Sequence, residues 1–342
     1  MKKKYIHLLI SIVIIVLSLA YAFQGVKFST LLEELSKANY LYLIPAVILI
    51  MITYLFRAMR WHYLLRPIKD VPVKNIFSPL FIGFMANMLP ARAGELIRAY
   101  LLGKREDISF STAFATIFVE RLFDMSMVLL MLFSITFFYA DVISQSSPDA
   151  GSIISKIVMF GWMGLAFSLF MFAFMFFLLH KNELAMKAVR LFIRPLPDNW
   201  GLKIVEMVNA FTQGLNILKD IKGFLMSILL SFLIWVCITL TCYPIYHAFG
   251  FADMLPALSS LLILNLFVAF STLFPAPGFL GPFQAACVFV LHEIFKIPKA
   301  AAASYGIALW ITSMGFTIIV GIIFAMKDNV SMKELSEKSE GK

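Results

Sequence analysis

The residues able to do chemistry crowd into one stretch, from Gly83 to Asp124. It reads Asn87-x-x-Pro90-x-Arg92-x-Gly94-Glu95-x-x-Arg98, followed by Glu120-Arg121-x-x-Asp124, with long apolar sequence on either side. An ionisable side chain near the centre of a bilayer costs roughly 2.5–3.5 kcal/mol on insertion scales, so these arginines and carboxylates must be paired or wetted. Arg121 and Asp124 have the i, i+3 spacing that lets partners meet on one helix face, and so do Glu95 and Arg98. Between the groups, Pro90 removes a helical donor and Gly94 permits a turn. A broken helix carrying charge at membrane depth is tolerated only where it is buried in protein or lines a water-filled cavity. A guanidinium binds phosphate as a bidentate fork, and Arg92, Arg98 and Arg121 read as the basic residues at depth. The expectation is that Arg92 and Arg121 hold a phosphate while Glu95, Glu120 and Asp124 orient them or exchange protons. Asn87 and Arg98 complete that set. The competing reading is an ion-pair network that pins the broken helix to its neighbour.

Such a site needs elements that carry it into a membrane, and the composition supplies them. The chain has 342 residues, 61% hydrophobic and 14% charged, with a mean hydropathy of +0.88. That excludes a soluble domain, and apolar runs beyond eighteen residues are too long for barrel strands. Cys237, Cys242 and Cys287 fall in apolar stretches without CxxC spacing, so neither a disulfide framework nor a zinc site is expected. The histidines stand singly. His292-Glu293 reads as a packed or interfacial pair, with a proton relay as the alternative. No cofactor and no metal are expected. The net charge of +9 is read as marking cytoplasmic loops, not nucleic-acid binding.

In chain order, Lys2, Lys3 and Lys4 precede an apolar run from Tyr5 to Phe23, read as a retained first helix; a signal peptide is the alternative. Residues 24–40 form a short external amphipathic stretch. A second helix runs from about Leu41 to Met59 and ends in a basic group, Arg57, Arg60, Arg66, Lys69 and Lys74, that marks the cytoplasmic side. Arg57 and Arg60, one turn apart, are expected to snorkel to headgroups. The segment from Ile76 to Pro90 is too short to cross a ~30 Å core, and 95–102 reads as its return limb. Helices over 110–139 and about 156–179 follow, joined by a loop that lacks Lys and Arg. The segment 180–222 is basic again. It lies inside only if 76–102 enters and returns on one side, so the positive-inside rule selects a re-entrant hairpin. Within it, Ile204, Val208, Phe211, Leu215 and Leu218 form an apolar stripe, read as an interfacial helix on the membrane or as a partner-binding face.

The second part repeats the pattern. A helix over about 224–249 precedes the run Leu258–Phe274, which stops at Pro275-Ala-Pro277-Gly278-Phe-Leu-Gly281-Pro282, a breaker sequence. Residues 283–295 read as the return limb and 302–326 as a last helix. The expected fold is a single all-α polytopic membrane domain over 1–342, with about six full spans and two re-entrant hairpins. Its halves are 1–152, with hairpin 76–102, and 153–342, with cytoplasmic segment 180–222 and hairpin 258–295. Odd numbers of crossings give the halves opposite orientation, with both termini inside. Broken helices at corresponding places in inverted halves point to a transporter-type site at the midplane.

On these residues the chain resembles the flippase-like family that includes the transmembrane region of lysylphosphatidylglycerol synthase. The Asn87-to-Asp124 motif carries the resemblance, and the Pro-x-Pro-Gly run at 275–278 falls where that family has its second glycine- and proline-rich element. The resemblance implies moving or handling lipids across a bacterial or archaeal cytoplasmic membrane. The sequence ends at Lys342 without a soluble aminoacyl-transfer domain, so synthesis of a lysyl-lipid by this chain alone is not expected. The expected partners are membrane lipids with a phosphate-bearing headgroup, and a second copy of the chain or a lipid enzyme is possible. Three classes stand open: a flippase or scramblase for a phospholipid, glycolipid or polyprenyl-linked lipid; a membrane-embedded transferase using Glu120 or Asp124 as base; and an accessory subunit. No Walker A motif is present, so ATP hydrolysis by this chain is not expected.

Overall fold

The computed structural model describes residues 2–88, 93–138 and 198–330, with scattered positions between 159 and 187. Among the described residues all regular structure is helical. Helix α1 (Lys2–Phe23) turns by 75° into the short α2 (Phe28–Lys37), which matches the amphipathic stretch read from the sequence. Helix α3 spans Leu43–Leu65, α4 Val73–Ala86, α5 Gly94–Glu106 and α6 Phe110–Phe138. After the segment outside the description come α7 (Asp198–Gly214), α8 (Ile221–Ala248), α9 (Ala257–Ser271) and α10 (Pro282–Val288). The last helix, α11, runs Lys299–Lys327 with a wide π turn at Ile311–Gly315.

The helix around Tyr40–Leu65, together with α6, α8 and α11, is long and apolar enough to cross a membrane; α1 with α2 makes a bent fifth candidate. Of the expected helix at 156–179 only scattered positions are described, all of them helical; the loop before it lies outside the described residues, as do 180–185 and 188–197 of the basic segment.

α3 and α8 form the central pair and run antiparallel. Near one end the Asn39 N–H donates to the Ala248 carbonyl at 2.9 Å, and toward the other Arg60 reaches Ser231. Apolar packing divides around them. One cluster holds Trp61, Leu64, Ile76, Leu80, Leu102 and Leu122 from α3–α6. The other holds Ile245, Leu264, Cys287, Val288, Tyr305 and Leu309 from α8–α11. The three cysteines are buried and unbonded.

Both short-helix pairs are helical hairpins. At the base of the first, Asn75 at the start of α4 donates to Glu106 at the end of α5, at 2.8 Å. Lys69 clamps the same turn through the Glu106 carbonyl, and Asp107 ends α5 in the left-handed conformation (φ 54°). Near the tip, Gly83 and Gly94 bring the two backbones together. Helix α4 is about 21 Å long at 1.5 Å per residue, short of a ~30 Å core. The hairpin starts at Val73 and turns after Ala86, earlier than the Ile76-to-Pro90 limb read from the sequence. The helix ends at Ala86, ahead of Pro90, which lies outside the described residues. The second hairpin pairs α9 with α10 and its π-helical extension Phe289–Ile294, Phe267 packing on Phe289 with centroids 5.0 Å apart. Helix α9 likewise ends at Ser271, ahead of Pro275. Pro277 opens a single 3-10 turn, Pro277–Phe279, in which Gly278 has φ 59°. Gly281 (φ 89°) then starts α10, its N–H held by the Gln284 side chain at 2.8 Å.

Each hairpin packs against a long helix of the other part of the chain, α4 on α11 and α9 on α6. The first contact is closed at its end by Asp328, which accepts from Ser78 and from Arg105 Nη1, the latter at 3.0 Å. The tips meet: the Gly278 N–H donates to the Asn87 carbonyl at 3.1 Å, and a Cβ on Gly278 would run into Met88 Sδ.

The surface stripe expected on residues 200–219 is used inside the protein. Thr112 on α6 donates to the Ala210 carbonyl at 2.9 Å, Phe211 lies against Phe118, and Leu215 is fully buried. Helix α7 and the turn after it are thus docked on α6, with Phe211 and Leu215 of the stripe turned toward the protein.

The close approach in the first hairpin gives a test. A Cβ on Gly94 would collide with the Gly83 backbone carbonyl and with Asn87 Oδ1, and backbone cannot swing aside as a flexible side chain can. Gly94→Ala is expected to destabilise by about 1–3 kcal/mol. Gly315→Ala, whose Cβ would meet Ile311 at an ordinary 3.8 Å, is expected to be close to neutral. Thermal unfolding of the two variants in detergent, beside wild type, reads the difference.

Candidate functional site

α3, α5 and α6 converge on Glu120. The carboxylate is fully buried and lies about 15 Å along α6 from Phe110. Arg98 from α5 binds it as a fork, Nη1 to Oε1 and Nη2 to Oε2, both at 3.0 Å. Arg60 from α3 brings Nη2 to 3.2 Å from Oε1. Arg121, the next residue on α6, donates Nη2 to the same Oε1. One carboxylate therefore faces three guanidinium groups, an arrangement that charge-assisted, near-planar bonding permits.

Asp124, one turn along, takes the second share. It accepts from Arg60 Nη1 at 2.7 Å and lies 3.1 Å from Arg121 Nη2. Arg60 Nη1 also donates to Ser231 on α8 at 2.8 Å, which ties the cluster to the antiparallel partner of α3. Aromatic faces complete the walls. The Arg98 guanidinium lies 4.3 Å from the Trp61 ring, whose N–H is satisfied by Thr116 at 2.9 Å. Phe84 on α4 lies within cation–π range of Arg98, at 5.2 Å, and of Arg57, at 4.9 Å.

The structure assembles most of the residues picked from sequence and changes some of their partners. The i, i+3 pair Arg121–Asp124 forms as its spacing requires. Arg98 bonds Glu120 across two helices, not Glu95, the partner its spacing suggested. Glu95 is half-buried at the start of α5, within electrostatic reach of Arg121. Asn87 is buried and takes a positioning role: its Oδ1 accepts from the Gly94 N–H at 3.1 Å, capping α5, while its carbonyl holds Gly278. Pro277, Gly278 and Gly281 shape the second tip, and Pro275 stands exposed beside it. Arg92 lies outside the described residues.

Arg57 and Arg60 overturn their sequence reading. Neither snorkels. α3 continues to Leu65, so Arg60 stands about 7.5 Å, and Arg57 about 12 Å, inside the end of the helix. Arg60 is fully buried and Arg57 Nη1 is buried too. The basic residues at depth thus include α3's arginines. A signal was present: Trp61-His62-Tyr63-Leu64-Leu65 continues the apolar helix beyond Arg60. Trp61 is fully buried, with Arg98 over its ring. His292 is packed, its Nδ1 2.8 Å from the Ile297 carbonyl. Among the described residues no group of His, Cys, Asp and Glu is arranged to hold a metal.

Long apolar helices, paired short-helix hairpins and a buried arginine–carboxylate cluster together define a multi-pass helical membrane protein. The model of the lysylphosphatidylglycerol synthase TM region matches residues 8–321, and the chain belongs to that family. A UPF0104 membrane protein of Methanocaldococcus jannaschii is 25% identical, over 99% of this chain and 98% of its own. Another, from Methanothermobacter thermautotrophicus, is 25% identical over 84% of this chain and 87% of its own. A protein named glycosyltransferase AglD, from Haloferax volcanii, is 29% identical over 32% of this chain and 18% of its own length. No solved structure matches.

Glu120 is expected to dominate the stability of the site. Removing one partner from a buried ion pair leaves uncompensated charge and costs about 3–5 kcal/mol. Glu120→Gln is expected to fall in that range, and Asp124→Asn below it, since Asp124 holds fewer arginines and is slightly exposed. Fluorescence-detected size exclusion after graded heating measures both.

Proposed function

We propose that this protein moves a lipid with a phosphate-bearing headgroup across the membrane, as a flippase or scramblase. The observation that carries the reading is the Glu120 cluster: guanidinium groups concentrated at membrane depth, beside the place where two hairpin tips meet. Protein that only needed to stay folded would be at least as stable with apolar residues there. Arginine is the side chain suited to phosphate. Arg121, 35% exposed, is open to a ligand, and Arg92 is its expected companion. Asn87, Glu95, Arg98, Glu120 and Asp124 hold the frame.

The arrangement of helices supports transport between leaflets. The antiparallel α3–α8 pair and the reciprocal packing of α4 on α11 and α9 on α6 are what an inverted repeat would produce. In this reading the hairpins are re-entrant, about six helices span the membrane, both termini lie inside, and the membrane is the cytoplasmic one of a bacterium or archaeon. The substrate is a phospholipid, glycolipid or polyprenyl-linked lipid, and no bond of it is made or broken.

A second reading has an observation of its own. The stretch shared with a protein named as a glycosyltransferase favours a membrane-embedded transferase acting on a lipid carrier, with Glu120 or Asp124 as base. Against it, both carboxylates are already bonded by arginines. An accessory subunit of a lipid-modifying enzyme is the remaining alternative.

Purified protein in liposomes, with fluorescent lipids quenched from outside, separates these readings. Wild type is expected to deliver label to the protected leaflet, and Arg121→Ala and Arg92→Ala to slow delivery at least tenfold with folding intact. Undiminished movement in both variants would remove the site. Product formation from a lipid carrier in detergent, without movement in liposomes, would favour the transferase.

A further inference from the structure

We propose that Arg57 on α3 is a direct ligand for a phosphate ester anion, which it grips together with Arg121 at the open side of the Glu120 cluster. This rests on reading the cluster as a lipid-phosphate site, and it adds a residue that the motif of the first half does not contain.

The first observation is an unmet need. Arg57 Nη1 is buried and has no hydrogen-bond partner among the described residues. Its neighbours Arg60, Arg98 and Arg121 also leave a buried Nε unpaired, but each has a carboxylate on its Nη groups: Arg98 has Glu120, Arg60 has Asp124 and Glu120, and Arg121 has both. A guanidinium cannot shed its charge as lysine can, so burial cannot be relieved by deprotonation. What Arg57 does touch is the face of Phe84 at 4.9 Å, which holds the planar group in place and leaves Nη1 unpaired.

The second observation is charge. Among the described residues around the cluster, the arginines Arg57, Arg60, Arg98 and Arg121 outnumber the carboxylates Glu95, Glu120 and Asp124. Asp124 lies within electrostatic reach of Arg57 but is already bonded by Arg60 and Arg121. Arg57 and Arg121 are close enough to repel one another. Two like charges within electrostatic reach of each other, beside carboxylates that already hold arginines, suit an anion.

The third is access. Arg60 and Arg98 are sealed, with side chains 0% and 2% exposed. Arg57 and Arg121 are partly exposed. The sealed pair fixes Glu120, and the open pair is left to bind. A phosphate ester fits because its oxygens accept from two forks at once, and a neutral or cationic headgroup would leave the forks unpaired.

The experiment is lipid binding by native mass spectrometry on the full chain in detergent, which does not require transport. The probes are dioleoylphosphatidylglycerol, dioleoylglycerol (which lacks the phosphate) and inorganic phosphate as competitor. Wild type is expected to bind phosphatidylglycerol saturably and well above dioleoylglycerol. Arg57→Gln should weaken that binding by about tenfold or more. Arg57→Lys, which keeps the charge and loses the fork, should fall between. Arg66→Gln, exposed at the end of α3, should match wild type. Competition by inorganic phosphate would support a free-phosphate occupant and its absence a lipid one; either supports the anion site. Equal binding of the two lipids by wild type, or Arg57→Gln within twofold of wild type, overturns the proposal. If Arg57→Gln does not fold, the Arg57→Lys loss decides. Binding that depends on Arg57, with no lipid movement in liposomes, keeps the site and removes translocation.

Discussion

A carboxylate with no water around it must be surrounded by cations, and Glu120 meets that demand with arginines from three helices. This requirement organises the first part of the chain. α5 can present Arg98 only if it turns back toward α6, and it turns back because Gly83 and Gly94 let α4 and α5 touch. α3 can present Arg60 only by staying helical to Leu65, and Ser231 then fixes which face of α8 it meets. Buried ion pairs add little net stability over apolar packing, since desolvation offsets their attraction. They do penalise every arrangement that leaves one charge alone. The cluster therefore acts mainly on specificity: it rejects alternative placements of the hairpin.

The tips of the two hairpins are joined differently. Gly278 and Asn87 meet through backbone, and Asn87 uses its side chain to hold its own helix start. One residue thereby couples the shape of each tip to the other. Backbone groups at this depth would cost several kcal/mol each if left unpaired in lipid, so the two broken segments satisfy one another. The second hairpin carries no comparable charge, and its packing is apolar and aromatic around Tyr305 and Phe251. The molecule is thus similar in outline across its two parts and dissimilar in chemistry.

Much of this was legible in the sequence because the membrane simplifies the code. Long apolar runs gave α6, α8 and α11 within a few residues, and the shortness of 76–90 and the Pro-Gly run at 275–282 marked both hairpins. The proline was a less exact guide than it looked, since α4 stops at Ala86 and α9 at Ser271, each a few residues earlier. Local spacing identified Arg121–Asp124, where both partners share a helix. It failed for Glu95–Arg98, because the decisive partner came from another helix and spacing carries no information about that. It failed again at Arg57 and Arg60. Their nearness to Arg66, Lys69 and Lys74 made a headgroup position reasonable, and only the depth of the helix end decides between surface and interior. Residues 204–218 show the same ambiguity, because a lipid surface and a neighbouring helix ask for the same apolar stripe.

The distance along the chain between partners has a consequence for how the protein is made. Asp124 follows Arg60 by 64 residues, about 3–13 s of synthesis at ~5–20 residues per second. Arg98 precedes Glu120 by 22, and Ser78 precedes Asp328 by 250. During those intervals α3 and the first hairpin exist with bare cations that lipid would not accept. They must wait in a hydrated or proteinaceous shelter at the insertion machinery until α6 emerges to neutralise them. Glu120 must therefore be made before the cations of the first part are neutralised, and the base of that part can close only once the end of the final helix exists.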